Sequence, residues 1–206
     1  GTPTNPGITP DQAPVAYFTA TPNVFGQPST FDASASLSPV GSIASYLWDF
    51  GDGSPVVTTN TPITFHTYQQ SGFFNVTLTV TNSAGTSVTQ NFTGQTMLNN
   101  GGPSATSTLA ITIEPSPPQN FEGHRCKNKF AVQTEYVDQL SWQPSQDPSV
   151  VEYLLFRNGV LIATIPANSP LKFNVHDRCK NRVYTYTLIA VDQSGIQSPP
   201  SIITVP

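Results

Sequence analysis

Two cysteines and two histidines are the side chains of this sequence best suited to metal or redox chemistry. His124 and Cys126 form one pair, His176 and Cys179 form a second pair much later in the chain, and each cysteine lies in the same tetrapeptide, Arg-Cys-Lys-Asn. The four could bind zinc, but their spacings fit no established zinc pattern, and no Cys-x-x-Cys motif supports redox chemistry. The alternatives are a disulfide, which implies an oxidising compartment, and two free thiols in a reducing one. We favour the disulfide.

A second set of potential ligands lies in the segment Trp48-Asp-Phe-Gly-Asp-Gly53. Its carboxylates, Asp49 and Asp52, could bind calcium, a hard cation that prefers oxygen ligands. They could also accept hydrogen bonds from backbone N–H groups of a turn in which Gly51 and Gly53 adopt positive φ. We favour turn capping, and we expect neither a resident metal nor another cofactor.

The local motifs that usually announce a hydrolase do not occur in this sequence. Such an enzyme needs a nucleophile with a base and an orienting group, or two carboxylates that face each other across a cleft. The third histidine, His66, lies in the tripeptide His-Thr-Tyr68, where a structural role is the simplest interpretation. We therefore predict that the protein is not an enzyme and has no catalytic or cofactor-binding residues.

The composition favours strands and argues against several classes of partner. Charged residues make up 10% of the 206 residues, against a usual share of about 25%, and the abundance of Thr, Ser, Val, Pro and Gly favours strands and turns. The net charge of -4 arises without a basic run that could follow a phosphate backbone. No apolar stretch approaches the roughly 18 residues that a membrane-spanning helix needs. We predict an all-β protein that binds no nucleic acid and does not insert into a membrane.

Short alternating segments separated by turn-forming residues predict the strands. The clearest lies at 73–80, where every second residue is apolar and shares one face: Phe74, Val76, Leu78 and Val80. The Asn158-Gly159 dipeptide between two apolar runs indicates a hairpin. No segment has convincing helical periodicity, which reinforces the all-β prediction.

Proline-rich stretches predict the domain boundaries. Residues 1–13 lack apolar periodicity and are expected to form a linker, and 115–118 contains three prolines, which cannot donate ladder hydrogen bonds. We therefore place one domain at 14–114 and another at 119–206, each close to the size of a β-sandwich module. Residues 94–108 have the composition of a long loop or a hairpin tip.

The segment at 48–53 closely resembles the signature of PKD domains. The tripeptide His66-Thr-Tyr68, then Gly72 and the run from Val76 to Gly85, match the residues that come after the signature in that family. The resemblance covers about residues 14–93 and implies an immunoglobulin-like β-sandwich. Trp48 and Phe50 would then face the core from a strand, and the aspartates and glycines would form the turn. Some PKD domains are associated with calcium, which keeps that alternative open.

Three segments of the second domain resemble the B, C and F strands of a fibronectin type III domain. They are Leu140-Ser-Trp142, Val151 to Gly159, and Tyr184 to Gly195. The resemblance implies that Trp142 packs in the core. It also implies that Tyr184 or Tyr186 forms a corner in which the phenolic hydroxyl bonds the backbone of the preceding loop. The whole chain would then hold two tandem immunoglobulin-like β-sandwiches.

That resemblance brings the two cysteines to one pole of the second domain. The long segment 123–136 before strand B would cap this pole, and the loop before strand F lies at the same end. Cys126 and Cys179 could therefore come close enough to form the disulfide. The Lys and Arg residues beside each cysteine would add a small, solvated positive patch.

Both families host many functions, so the predicted role rests on analogy. The first hypothesis is a non-catalytic spacer and protein-interaction region of a larger protein that is extracellular, on the cell surface or periplasmic. The alternative is an accessory module that binds carbohydrate or a protein substrate for a secreted hydrolase. A row of exposed aromatic residues would favour the alternative; Tyr17, Phe65 and Phe92 could form one, although we expect them in the core. We expect a monomer whose partners are proteins or carbohydrate at the cell surface.

Overall fold

Both halves of the chain are built from antiparallel strands. The computed structural model describes residues 13–88, 91–92, 98–99, 101–129, 134–178 and 182–206. The chain divides into two compact units. The first comprises Gly1–Asn23, Pro28–Thr67 and Phe73–Thr112, and the second comprises Val24–Gln27, Tyr68–Gly72 and Ile113–Pro206.

The first unit is an immunoglobulin-like β-sandwich. Its strands are β1 (Thr19–Thr21), β2 (Pro28–Asp32), β3 (Ile43–Asp49), β4 (Val57–Thr59), β5 (Ile63–Thr67), β6 (Gly72–Asn82), β7 (Asn91–Phe92), β8 (Leu98–Asn99) and β9 (Thr106–Ile113). One sheet has the order β1-β2-β5 and the other β4-β3-β6-β9, while β7 pairs with β8. A single 3-10 turn at Pro103–Ala105 precedes β9. The last strand of this unit begins at Thr106, so residues 106–108 belong to it and not to the loop or hairpin tip predicted for residues 94–108.

Aromatic rings fill the core of the first unit. Trp48 and Phe50, two residues apart on and just after β3, are both buried, and Phe31 of β2 in the other sheet packs against both rings. Beside β3 in the same sheet, β6 contributes buried apolar residues that alternate with threonines: Val76, Leu78 and Val80. The period of two therefore places the signature residues in the core, as the sequence predicts.

The second unit is also a β-sandwich of two sheets. Its strands are β10 (Gln119–Lys129), β11 (Thr134–Gln143), β12 (Val150–Arg157), β13 (Val160–Pro166), β14 (Lys172–Asp177), β15 (Tyr184–Asp192) and β16 (Ser201–Val205). The sheet orders are β10-β11-β14 and β13-β12-β15-β16. The Asn158-Gly159 turn joins β12 to β13, with positive φ at both residues, as the dipeptide predicts.

The core of the second unit forms around Trp142, which makes edge contacts with the rings of Phe121 and Tyr153. Alternate residues of β15, including Tyr186 and Leu188, close the core from the facing sheet. Within the described part of the chain, no helix is long and apolar enough to cross a membrane.

The prediction that residues 123–136 form a pole-capping segment is wrong. Residues of this stretch extend β10 to Lys129 and begin β11 at Thr134, and the two strands pair from Gln119 to Lys129. The segment has few apolar residues, so no alternation of apolar and polar residues marks it as a strand. Its side chain at Arg125 points inward and is stabilised by an ion pair with the buried carboxylate of Asp138.

Candidate functional site

The signature turn of the first unit is held by its own carboxylates. Asp49 Oδ1 accepts the N–H of Gly51 at 3.0 Å, and Asp52 Oδ1 accepts the N–H of Ser54 at 3.0 Å and its hydroxyl at 2.6 Å. The second oxygen of Asp52 accepts a hydrogen bond from His66 Nε2 at 2.7 Å. Both carboxylates therefore stabilise the turn, the role that we favoured over calcium binding.

His66 connects this turn to the core. Its ring stacks on Phe50 with a centroid distance of 4.0 Å, and the pair lies beside the buried ring of Trp48. The motif residues Trp48, Phe50, Asp52 and His66 thus form one structural cluster that joins β3 and β5. Among the described residues, no group of three or more His, Cys, Asp or Glu side chains is arranged to hold a metal ion.

The Asp52 cluster makes the first unit sensitive to acid. Partial burial by itself raises the pKa of the Asp52 carboxyl, but the hydrogen bonds from Ser54 and His66 outweigh it and hold the pKa below its usual value. A carboxyl whose pKa is lower in the folded state contributes stability above its unfolded pKa of about 4. That contribution is lost as the pH falls through the pKa of the carboxyl in the folded state.

We therefore expect Asp52→Asn to lower the free energy of unfolding of the first unit by about 1.5 kcal/mol at pH 7. The difference from wild type should shrink as the pH falls below about 4, where the carboxyl of the unfolded chain takes up a proton, and should be smallest below the lowered pKa of the folded carboxyl. Urea unfolding of wild type and Asp52→Asn at pH 7, 4 and 2.5 measures this difference in unfolding free energy. A difference that stays constant across this range would show that the charge of Asp52 has no role.

A buried ion pair lies in the interior of the second unit. Arg125 of β10 donates two hydrogen bonds to Asp138 of β11, from Nε at 2.6 Å and from Nη2 at 2.9 Å, and the side chains are 11% and 1% exposed. Tyr186 of β15 donates to the same carboxylate at 2.7 Å. The bonds with Asp138 raise the pKa of Arg125, and burial together with the bond to Asp138 raises the pKa of Tyr186.

A second tyrosine extends this polar network. Tyr184 donates its hydroxyl hydrogen to Asp177, and the Arg157 guanidinium lies 4.7 Å from the centre of its ring. The predicted corner, a tyrosine hydroxyl that bonds a loop backbone, is therefore formed by neither Tyr184 nor Tyr186, since both bond carboxylates. Tyr153 of β12 is the residue whose hydroxyl accepts a loop N–H, from Ser145 at 3.0 Å.

This network was not predicted from the sequence, in which Arg125 was assigned to a solvated patch. The sequence of β11 does contain a signal for this network, because Asp138 shares the inward face of the strand with Leu140 and Trp142. A carboxylate at a core position of an amphipathic strand requires a buried cation or several donors, because an unpaired buried charge is costly.

The predicted disulfide between Cys126 and Cys179 is not formed in this structure. Cys126 carries a free thiol, and Cys179 lies outside the described residues. Cys126 is part of a β-ladder opposite Val137, and not of the capping segment in which the sequence placed it. Its side chain lies on the opposite sheet face from Arg125.

The two histidines near the cysteines have separate hydrogen-bond partners. His124 Nε2 lies 3.0 Å from Gln139 Oε1, and His176 Nδ1 lies 2.9 Å from Glu135 Oε1. Both are on the outer face of the β10-β11-β14 sheet, two register rows apart. Within the part of the chain that the structure describes, the two histidines and Cys126 are not arranged as a group that could hold a metal ion.

Two of the three aromatic residues considered for binding lie at the surface. Phe65 is 65% exposed and Tyr17 is 52% exposed, so the expectation that they belong to the core is wrong. The period of two explains the exposure of Phe65, since His66 must point inward to reach Phe50 and thereby turns Phe65 outward. The side chain of Phe92 lies outside the described residues.

The second unit also carries a cleft of about 710 Å³. Strands β10, β11 and β14 contribute one wall, and the end of β13 with the following loop contributes the other. Its lining combines polar side chains with an apolar part formed mainly by Leu140, Ile165, Pro166, Pro170 and Phe173.

The two sandwiches define a modular β-sandwich protein. Residues 11–96 match the model of the PKD domain family. The second unit has the fibronectin type III fold: the chain aligns with a two-domain fibronectin type III segment of chicken tenascin over 93% of its own length and 97% of that chain, with a TM-score of 0.52 and 11% identity.

Two curated proteins match a part of the chain. Human polycystin-1 is 47% identical over 60 residues, which is 29% of this chain and 1% of polycystin-1. A microbial collagenase of Vibrio alginolyticus is 43% identical over 82 residues, which is 39% of this chain and 10% of the collagenase. The chain thus corresponds to a small part of each relative.

Proposed function

We propose that the chain is a non-catalytic protein-binding region of a larger protein that acts outside the cell, on its surface or in the periplasm. In this proposal the β-sandwiches hold a docking surface, and the larger protein carries any catalytic activity. The proposal is supported by the match of residues 11–96 to the PKD domain family model and by the structural roles of Asp52 and His66.

The observation that carries it is an apolar surface on the β1-β2-β5 sheet of the first unit. Phe65 and Ile63 share the outer face of β5, at 65% and 45% exposure, and Tyr17, which precedes β1 between buried Ala16 and Phe18, is 52% exposed. The outer face of an isolated antiparallel sheet is usually polar. Exposed aromatic rings provide large contact area at a low entropic cost, which suits protein binding.

Threonine residues surround these apolar side chains. Thr30 is the register partner of Phe65 on β2, and Thr21 is that of Thr30 on β1. The surface thus combines rings with hydroxyl groups and has one carboxylate, Asp32, opposite Ile63. A nearly uncharged surface of this kind favours a partner that is itself neutral and extended, such as a fibrous protein.

Insoluble collagen fibres are the probe we would use, since one relative is a collagenase. We expect the wild-type chain to sediment with the fibres and the double variant Tyr17→Ser/Phe65→Ser to bind at least tenfold more weakly, because loss of two aromatic anchors typically costs more than about 1.4 kcal/mol. The matched control is Val160→Ser/Val183→Ser, which removes equally exposed apolar groups from the second unit. A wild-type chain that stays in the supernatant, or a double variant that binds like wild type, contradicts the proposal.

A second candidate function is an accessory carbohydrate- or protein-substrate-binding module of a secreted hydrolase. The likeness of a part of the chain to a part of a microbial collagenase favours it. The two candidates differ in the domains that the same polypeptide carries beyond residues 1 and 206. A hydrolase domain in the full-length gene product supports the accessory module, whereas further sandwiches or a surface anchor support an adhesive region.

A further inference from the structure

The cleft of the second unit is separate from the apolar surface proposed for protein binding. Every one of its lining residues belongs to Ile113–Pro206. It is large enough to hold a small ligand, since pockets of about 300 to 1,000 Å³ are typical of such sites. A ligand for it can therefore be sought independently of the proposed function.

One wall of the cleft presents a row of hydrogen-bonding side chains. His124, Gln139 and Asn174 are register partners on three adjacent strands, and all three are exposed. Neighbouring strands are about 4.8 Å apart, so the row presents polar groups at regular intervals. Amide groups both donate and accept hydrogen bonds, which suits ligands that carry several adjacent hydroxyl groups.

The next row on the same face of the sheet, two register rows away, adds a positive charge. Ser141 and Lys172 are partners in this row, and both line the cleft. Glu122, at the far end of the row, accepts the Ser141 hydroxyl hydrogen at 3.1 Å and does not line the cleft. None of the described residues that line the cleft is a carboxylate, although the chain has 12 acidic and 8 basic residues. The Lys172 ammonium is thus placed to meet an anionic group of the ligand.

The rest of the lining offers apolar contact with few hydroxyl groups. Pro166 and Pro170 provide rigid, exposed apolar surface, and Thr164 and Ser169 add hydroxyl groups. A ligand with one apolar face, many hydroxyl groups and a single negative charge satisfies all of these groups. A phosphorylated polymer would require several cations, whereas the cleft has one lysine.

We propose that this cleft binds an acidic oligosaccharide, with Lys172 contacting the carboxylate of a uronic acid residue. Gln139 and Asn174 then hydrogen-bond ring hydroxyl groups, and Pro166 and Pro170 contact the less polar face of the sugar. In the sequence, exposed aromatic side chains were the feature expected to favour carbohydrate as a partner. The structure assigns the carbohydrate site instead to a polar cleft without an exposed aromatic ring in its lining.

Isothermal titration calorimetry with short oligosaccharides of galacturonate, alginate and hyaluronan tests the proposal. We expect saturable binding of at least one of them, and a Kd raised at least tenfold when the carboxylates of that oligosaccharide are converted to methyl esters. Lys172→Gln should raise the Kd for the acid form by a similar factor and leave that for the ester unchanged. Asn174→Ala should weaken both forms about fivefold.

The matched control is Lys127→Gln, which removes an exposed lysine of β10 that lies outside the cleft. It should leave the Kd unchanged, and equal unfolding midpoints for all variants establish that the cleft is intact. The proposal is overturned if no acidic oligosaccharide binds at millimolar concentration, or if Lys127→Gln weakens binding as much as Lys172→Gln. Binding of the methyl ester as tightly as the acid also contradicts it.

Discussion

Asp138→Ala is expected to lower the free energy of unfolding of the second unit by about 4 kcal/mol. The substitution leaves the Arg125 guanidinium buried without its counter-charge and removes the acceptor of the Tyr186 hydroxyl. Removing one partner of a buried ion pair lowers the stability by more than the intact pair contributes, because the remaining charge has lost its partner and has little access to water. Guanidinium unfolding followed by Trp142 fluorescence, in a Trp48→Phe background, measures the loss.

A double variant separates this cause from a simple loss of packing. In Arg125→Met/Asp138→Leu the buried charges are both absent and apolar groups fill the space, so at least half of the lost stability should return. If the double variant is as unstable as Asp138→Ala, then the geometry of the pair, and not the uncompensated charge, determines the stability. If Asp138→Ala costs less than about 1 kcal/mol, the interior of the second unit admits water to Arg125.

The sequence was sufficient to predict the fold where motifs fix the register. The aspartates and glycines of 48–53 specify a turn, and the alternation of β6 specifies which residues enter the core. These signals are local, because a turn geometry and a period of two depend on neighbouring residues only. For this reason Trp48 and Phe50 occur where the sequence predicts.

The parts that could not be predicted depend on partners distant in the sequence. Arg125 lies among polar residues that suggest a loop, and its pairing with Asp138 belongs to a long ladder between β10 and β11 that the local sequence does not reveal. The cleft could not be predicted either, since it needs the register of β10, β11 and β14 to align His124, Gln139 and Asn174. Long-range register is set by the whole packed sheet and not by any one segment.

Gly51→Ala is expected to destabilise the first unit by about 3 kcal/mol, several times more than Gly53→Ala. Both glycines have positive φ, 75° and 80°, so both substitutions carry a conformational cost of about 1 kcal/mol. They differ in space: a Cβ at Gly51 would lie 2.4 Å from the Asn75 carbonyl oxygen, whereas a Cβ at Gly53 meets nothing within 4 Å. The Asn75 backbone belongs to β6, so the contact can be relieved only by moving a strand of the sheet.

The comparison of the two variants therefore isolates the close approach between the turn and β6. Urea unfolding followed by Trp48 fluorescence, in a Trp142→Phe background, gives both values in the same unit. Equal losses of unfolding free energy for Gly51→Ala and Gly53→Ala would mean that the cost of positive φ accounts for both. The β6 backbone would then move away from the new Cβ without a measurable cost. A larger loss for Gly51→Ala would mean that the turn must approach the β6 backbone closely. The same turn carries Asp52, which accepts the hydrogen bond from His66. The stability of the signature cluster then depends on a glycine that makes no side-chain contact of its own.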